Sequence, residues 1–272
     1  MYDIGTEKLI VFLTKSCNRN CPFCVDKPNG EYYKKQKDYK EYMDLETIKQ
    51  VLKFSKNNNI KIIQLNGGEP TLHSQIIGFS KMIKNAGFSP ELVTNFDFPG
   101  VVAKLDGIMD RIYVSYYNQK ILPQQANYKS KIILRIALTK SNFPTLEKLA
   151  NFINKKKENF YSFKITTLIN NNSYSQSEQV DYLAELEEKY PLYEGENGKK
   201  YHNFMGFKIK RLDLENLKLD INKTSFKAHV NGVISHYSEE DYYELSGMDP
   251  NSILTKVLQA TRNADRRSQL RK

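Results

Sequence analysis

The chain has 272 residues, 40% apolar and 26% charged, which suffices for one large domain, or one domain with a small appendage, and a sizeable core. No stretch approaches the roughly 18 apolar residues of a membrane span. The start, Met1-Tyr2-Asp3-Ile4-Gly5, lacks the basic region and apolar run of a secretory signal, so the expected location is the cytoplasm. A net charge of +10 fits a lysine-rich solvated surface. It also fits a basic face for an acidic partner: an electron-transfer protein, an acidic peptide or a nucleic acid. The 18 Tyr and 14 Phe, with no Trp, suit base stacking and core packing equally.

In chain order, Leu9 to Leu13 reads as a buried strand. Helical spacing follows at Ile48, Val51, Leu52 and Ser55, with Asp44 as N-cap. Lys61 to Leu65 is a second strand, ending at Gly67-Gly68. Ile76, Phe79, Ile83 and Ala86 share a helix face that stops at Gly87. A third strand covers Glu91 to Thr94. A short helix around Val101 to Leu105 leads to a fourth strand, Arg111 to Tyr116. Lys131 to Leu138 is the fifth strand, followed by a helix marked by Leu146, Leu149 and Ile153. Tyr161 to Leu168 is the sixth.

Six βα units in series imply parallel strands joined by right-handed crossovers. An open six-stranded barrel and a doubly wound sheet both satisfy that pattern. Beyond it, 170–179 is a polar linker, and Val180, Leu183 and Leu186 mark a charged helix. Residues 191–200 read as a loop. Strand-like pieces at Phe207 to Ile209 and Phe226 to Val230, with the turn signal Asn231-Gly232, suggest hairpins. A last helix carries Ile253, Val257 and Leu258.

All three cysteines fall in Cys17-Asn18-Arg19-Asn20-Cys21-Pro22-Phe23-Cys24. A clustered odd number is a poor disulfide framework and suits metal or cluster ligation in a reducing compartment. The loop follows the first strand, at the carboxyl end where α/β folds build active sites. A [4Fe–4S] cube usually takes four thiolates. Three therefore leave one iron for a non-cysteine ligand or for substrate. The alternative is a zinc site completed by His73, His202, His229 or His236. The gaps between the cysteines form no repeated zinc pair.

The CxxxCxxC loop, with an aromatic residue before its last cysteine, together with Gly67-Gly68-Glu69-Pro70 ending the second strand, resembles the radical S-adenosylmethionine (SAM) superfamily. The resemblance covers roughly residues 7 to 168. It implies a [4Fe–4S] cluster on Cys17, Cys21 and Cys24, with SAM completing the open iron. SAM would be cleaved reductively to a 5′-deoxyadenosyl radical that abstracts hydrogen from a substrate. It also implies an external one-electron donor such as flavodoxin or ferredoxin. Phe23 would pack near the adenine. Gly67, Gly68 and Glu69 would engage the SAM amino group, and Pro70 would stiffen the turn.

Thr94 and Asn95 stand where many relatives carry Thr-Asn-Gly. Phe96 replaces that Gly, so a different local backbone is expected. Ser115 sits where relatives often contact the ribose or carboxylate, and Tyr116-Tyr117 replaces the acidic residue that often follows. Arg135 lies in an apolar strand and needs a partner, either an internal salt bridge or the SAM carboxylate. The expected architecture is α/β: a partial (β/α)6 TIM-like barrel as a core domain over residues 1–195. A small C-terminal α+β extension without cluster ligands covers 196–272.

No cysteine of this chain remains outside the loop, which excludes all-cysteine auxiliary clusters and a cysteine hydrogen donor. Three functions are compatible. The first is radical chemistry on a peptide or protein side chain, recognised by strand addition to the hairpins. The second is the same chemistry on a nucleotide, sugar or other small metabolite. The third is a non-catalytic zinc or cluster protein that contacts nucleic acid.

Overall fold

The computed structural model describes residues 7–19, 21, 24, 42–117, 119, 121–167, 178–194 and 200–210, and the strand backbones 226–228, 233–236 and 242–244. Six strands form its centre: β1 (Lys8–Thr14), β2 (Ile62–Gly67), β3 (Ser89–Thr94), β4 (Arg111–Tyr116), β5 (Lys131–Leu138) and β6 (Ser162–Thr167). Between them run α1 (Leu45–Asn57), α2 (Ile76–Asn85), α3 (Pro99–Leu105) and α4 (Leu146–Lys156). Each strand runs parallel to the next, in the order 1-2-3-4-5-6.

That order decides between the two architectures left open by the sequence. When every strand is added on the same side and every crossover is right-handed, all connecting helices fall on one face. A doubly wound sheet requires the order to reverse. The sheet is therefore of the barrel type, with its helices outside. Their apolar faces pack on Leu65, Leu92, Val114, Leu134 and Ile165 to make the core.

Helix starts follow local chemistry. The Asp44 carboxylate accepts from Thr47 N–H at 2.8 Å, capping α1 as expected. Thr145 caps α4 in the same way, accepting from Lys148 N–H at 3.2 Å.

Both edges of the six-stranded core are extended. After α5 (Leu183–Lys189), the strands β7 (Leu192–Glu194), β8 (Lys200–Phe204) and β9 (Phe207–Lys210) form an antiparallel meander whose β9 pairs in parallel with β6. At the other edge β10 (Phe226–Ala228) pairs in parallel with β1, followed by antiparallel β11 (Val233–His236) and β12 (Tyr242–Glu244). The β10–β11 hairpin matches the expectation for that stretch. The turn Asn231-Gly232 and the expected helix at 253–258 lie outside the described residues. Residues 191–200, read from sequence as a loop, instead contain strand β7. A three-residue edge strand is too short to show a period.

The sheet face away from the helices carries a polar cluster. Its centre is Glu91, fully buried, which accepts from Lys8 Nζ (2.5 Å), Gln64 Nε2 (2.9 Å) and Arg111 Nη1 (2.8 Å). Burial alone pushes this carboxyl up, but the bonds and charges of Lys8 and Arg111 outweigh it and hold it below the ordinary 4.5. Tyr113 on β4 contacts the same carboxylate at 3.4 Å and is pushed up to about 12, first by burial and then by the Glu91 charge.

A depressed carboxyl stabilises the fold above its unfolded value, and that contribution fades as pH falls through the folded one. Glu91→Gln is expected to cost about 2 kcal/mol at pH 7, short of a fully buried pair because Lys8 and Arg111 reach solvent. The gap between the urea midpoints of the two proteins should narrow as pH drops below 4.5. A constant gap from pH 7 to pH 3.5 would contradict the assignment.

Candidate cluster and cofactor site

The carboxyl ends of β1, β2, β3 and β4 converge on the cysteine loop. The β1–β2 register slips between Phe12 and Thr14, so that Thr14 stands opposite Gly67. Backbone bonds then tie the two strand ends together. Gly68 N–H donates to Thr14 O and Glu69 N–H to Ser16 O, both at 2.8 Å. Thr14 Oγ1 accepts from Ser16 N–H at 3.0 Å and turns the chain into the loop.

The contact is closer than any side chain permits. A Cβ on Gly68 would lie 2.1 Å from Ser16 O, and one on Gly67 2.3 Å from Thr14 O. Gly67 also has φ +138°, which favours glycine. Both glycines pack against the backbone that carries the cysteines.

Glu69 is 1% exposed, and its carboxylate joins the ends of β2 and β3. Oε1 accepts from Thr71 N–H (3.0 Å), Thr71 Oγ1 (2.5 Å) and Thr94 Oγ1 (2.7 Å), while Oε2 accepts from Asn95 N–H (2.7 Å). Burial pushes this carboxyl up, and the four donors pull it back only in part. Oε2 carries one bond, so it has capacity for one further donor. Pro70 opens the 3-10 turn Pro70–Leu72, a position where its missing N–H costs nothing.

The three expected contacts Glu69, Thr94 and Asn95 are thus brought together. Phe96 is buried and has φ +64°, so it holds the left-handed backbone despite its side chain, at a cost of about 1–3 kcal/mol. Phe96 N–H donates to Thr94 Oγ1 at 3.0 Å, which helps to hold that turn.

Ser115, in β4, pairs in register with Arg135, which pairs in turn with Lys164 of β6. The Arg135 charge bears on Tyr113. Arg135 is half-buried on the polar face and not packed beneath the helices. Tyr116 packs with tilted rings against Phe143 and Phe152.

Cys17, Cys21 and Cys24 are reduced thiols, with Cys17 and Cys24 exposed. Arg19 N–H donates to Cys17 Sγ at 3.4 Å, and Cys24 N–H to Cys21 O at 3.1 Å. Burial pushes the Cys17 thiol up, and the Arg19 N–H works against that shift. Phe23 lies outside the described residues. Among the described residues no three His, Cys, Asp or Glu side chains gather as a set that could hold a metal ion. A cubane makes a different demand, since it places each thiolate on its own iron. Three reduced thiols in one loop are chemically the donor set for three irons of a cubane.

His73 and His202 are engaged elsewhere. The His73 ring bonds Met43 O at 2.8 Å and accepts from Gln75 N–H, and His202 Nδ1 bonds Tyr190 O at 2.6 Å. His236 is in β11, and His229 lies outside the described residues.

Sequence reasoning missed a polar web beside the loop. Asn18 and Arg19 donate to Asp97, Asn95 Nδ2 donates to Asn18 Oδ1, and Gln119 Nε2 donates to the carbonyls of Asn95 and Ser115. Its bonded partners lie up to 79 positions apart, and only the proximity of Asn18 and Arg19 to cysteines could have flagged them.

Residues 11–116 match the model of the Radical SAM superfamily. The matched stretch contains the cysteine loop and Gly67-Gly68-Glu69-Pro70. The GTP 3′,8-cyclase of Clostridium perfringens is 29% identical over 175 residues, 62% of this chain and 48% of that protein. The GTP 3′,8-cyclase of Alkaliphilus metalliredigens is 32% identical over 75 residues, 28% of this chain and 22% of that protein. The chain thus spans less than half the length of these relatives. Among solved structures, anSMEcpe with bound AdoMet superposes with a TM-score of 0.60 at 14% identity, covering 90% of this chain and 80% of that one. Streptococcus suis SuiB bound to precursor peptide SuiA gives 0.54 at 12% identity, covering 84% and 58%. These likenesses show the fold alone, an α/β partial barrel.

Replacing Gly68 by Ala should drive a methyl group into Ser16 O. Denaturation is expected to show a loss of at least about 2 kcal/mol, against less than about 0.5 kcal/mol for Gly78→Ala, which meets open space. Equal losses would refute the close approach.

Proposed function

We propose that this chain is an enzyme that cleaves SAM reductively at a [4Fe–4S] cluster and uses the resulting radical to abstract hydrogen from a substrate. The observation that carries the proposal is the docking of the Gly67-Gly68-Glu69 backbone on the base of the three-cysteine loop at the strand ends. When bound, the cluster would supply the electron that breaks the sulfonium C–S bond.

The residues of the chain bind and orient. Cys17, Cys21 and Cys24 would ligate the cluster. Glu69 Oε2, with Gly67 and Gly68 beside it, would accept from the SAM ammonium. Ser115 and Arg135 would take its ribose and carboxylate, the latter pairing favoured by guanidinium geometry. Phe23 would pack on the adenine. Thr94 and Asn95 keep Glu69 fixed, so the pose of SAM is set before chemistry. Such positioning controls which hydrogen is taken. An external one-electron donor such as flavodoxin or ferredoxin is required, and the +10 net charge would attract an acidic one.

For the substrate we propose a peptide or protein side chain. In this reading residues 1–195 hold cluster and SAM, and 196–272 contribute to substrate recognition. Strands β7 and β12 end the strand order, and an extended peptide could add to either edge. A second reading, a nucleotide, is favoured by the relatives named GTP 3′,8-cyclase. Among the described residues no helix is long and apolar enough to cross a membrane.

After anaerobic reconstitution and reduction, the chain should convert SAM to 5′-deoxyadenosine. Cys24→Ala should lower that rate at least a hundredfold, and unchanged cleavage would contradict the ligand assignment. Mass spectrometry of candidate peptides incubated beside GTP separates the substrate readings. A modified peptide supports the first, and consumption of GTP with unmodified peptides overturns it.

A further inference from the structure

The cysteine loop is gripped from a side the superfamily motifs do not name. Arg19 lies between Cys17 and Cys21, and its guanidinium meets Asp97 with both ends of its fork. Nε donates to Oδ2 at 2.6 Å, and Nη2 donates to Oδ1. Asn18, next to Cys17, donates its side-chain amide to the same Oδ2 at 2.8 Å. The amide oxygen of Asn18 accepts from Asn95 Nδ2 at 2.8 Å, and the Asn95 side-chain oxygen accepts from Asp97 N–H at 2.9 Å. Asn18, Asp97 and Asn95 thus close a ring of bonds, and Arg19 joins it through Asp97. Asn95 N–H is itself held by buried Glu69. The turn is therefore anchored to the same carboxylate that adjoins the loop base.

We propose that the Arg19–Asp97 pair is a latch that presets the cysteine loop for the cluster, and that Asp97 acts as a positioning residue through Arg19 and Asn18. The inference rests on the reading of the loop as the cluster site. Loading a cluster on a loop that samples many conformations loses conformational entropy, whereas a loop already held at Asn18 and Arg19 loses less. A bidentate pair fixes direction as well as distance, which a lysine in place of Arg19 could not do. The left-handed Phe96 fits the same role, because strained backbone persists where surrounding contacts over-determine it. Here the strain aims Asp97 at the loop.

Trypsin reads the latch directly in the cluster-free chain, because Arg19 must leave Asp97 to enter the protease pocket. The initial rate of cleavage after Arg19, measured by mass spectrometry, is expected to rise at least tenfold in Asp97→Ala and to return towards the parent rate in Asp97→Glu. Cleavage after Lys104, in α3, serves as the folding reference. If Asp97→Ala accelerates both sites equally, Arg19→Lys, which retains a cleavable residue without the fork, replaces it in the same comparison. A rate at residue 19 unchanged in both variants overturns the latch.

In the second arm, the parent chain and the variant are reconstituted anaerobically with iron and sulfide. A fivefold or greater slowing of iron uptake in the variant supports presetting. Faster cleavage with unchanged uptake overturns it. A parent chain that takes up no cluster at all defeats the cluster reading, while the protease arm still judges the latch.

Discussion

One contact organises this end of the molecule: the backbone of Gly67, Gly68 and Glu69 lying against the backbone of Thr14, Lys15 and Ser16. Two hydrogen bonds of 2.8 Å hold it, and a Cβ at either glycine would enter carbonyl oxygens. Such an approach fixes where β1 ends and where the cysteine loop departs. Everything proposed for the loop depends on that departure point. The register slip between Phe12 and Thr14 belongs to the same device, since it turns Thr14 towards Gly67.

From this base the site spreads across strand ends by polar contacts and not by apolar packing. Glu69 links β2 to β3 through Thr94 and Asn95. Asn95 and Asp97 link β3 to the loop, and Gln119 links both to the end of β4. Buried polar groups are costly when unpaired, so each partner constrains the next. A left-handed phenylalanine and a buried carboxylate are tolerable together because the web bonds to both, while Glu69 Oε2 keeps capacity for one further donor. Lower in the sheet, Glu91 with Lys8, Gln64 and Arg111 fastens the polar face at its amino end.

Much of this was legible in the sequence. The strands at Arg111 to Tyr116 and Lys131 to Leu138 were read with the bounds the structure gives, because buried parallel strands show as near-continuous apolar runs. Asp44 revealed itself as a cap by its place before the first periodic residue. The three cysteines and Gly67-Gly68-Glu69-Pro70 were visible because their spacing is local. Arg19 with Asp97, and Lys8 with Glu91, were not, since partners 78 and 83 positions apart leave no local period. Periodicity also left the barrel and the doubly wound sheet open; strand order resolved them. It missed β7 for want of length, and it could not show that the two glycines face the loop of their own chain.

The central claim is that the cysteine loop leaves one iron of a cubane without a protein ligand, so that SAM can reach it. Electron paramagnetic resonance of the reduced, reconstituted protein with and without SAM tests this most directly. A [4Fe–4S] signal whose g values shift when SAM is added is the expected result. A signal indifferent to SAM, or a reconstituted protein holding zinc and no iron, would contradict it.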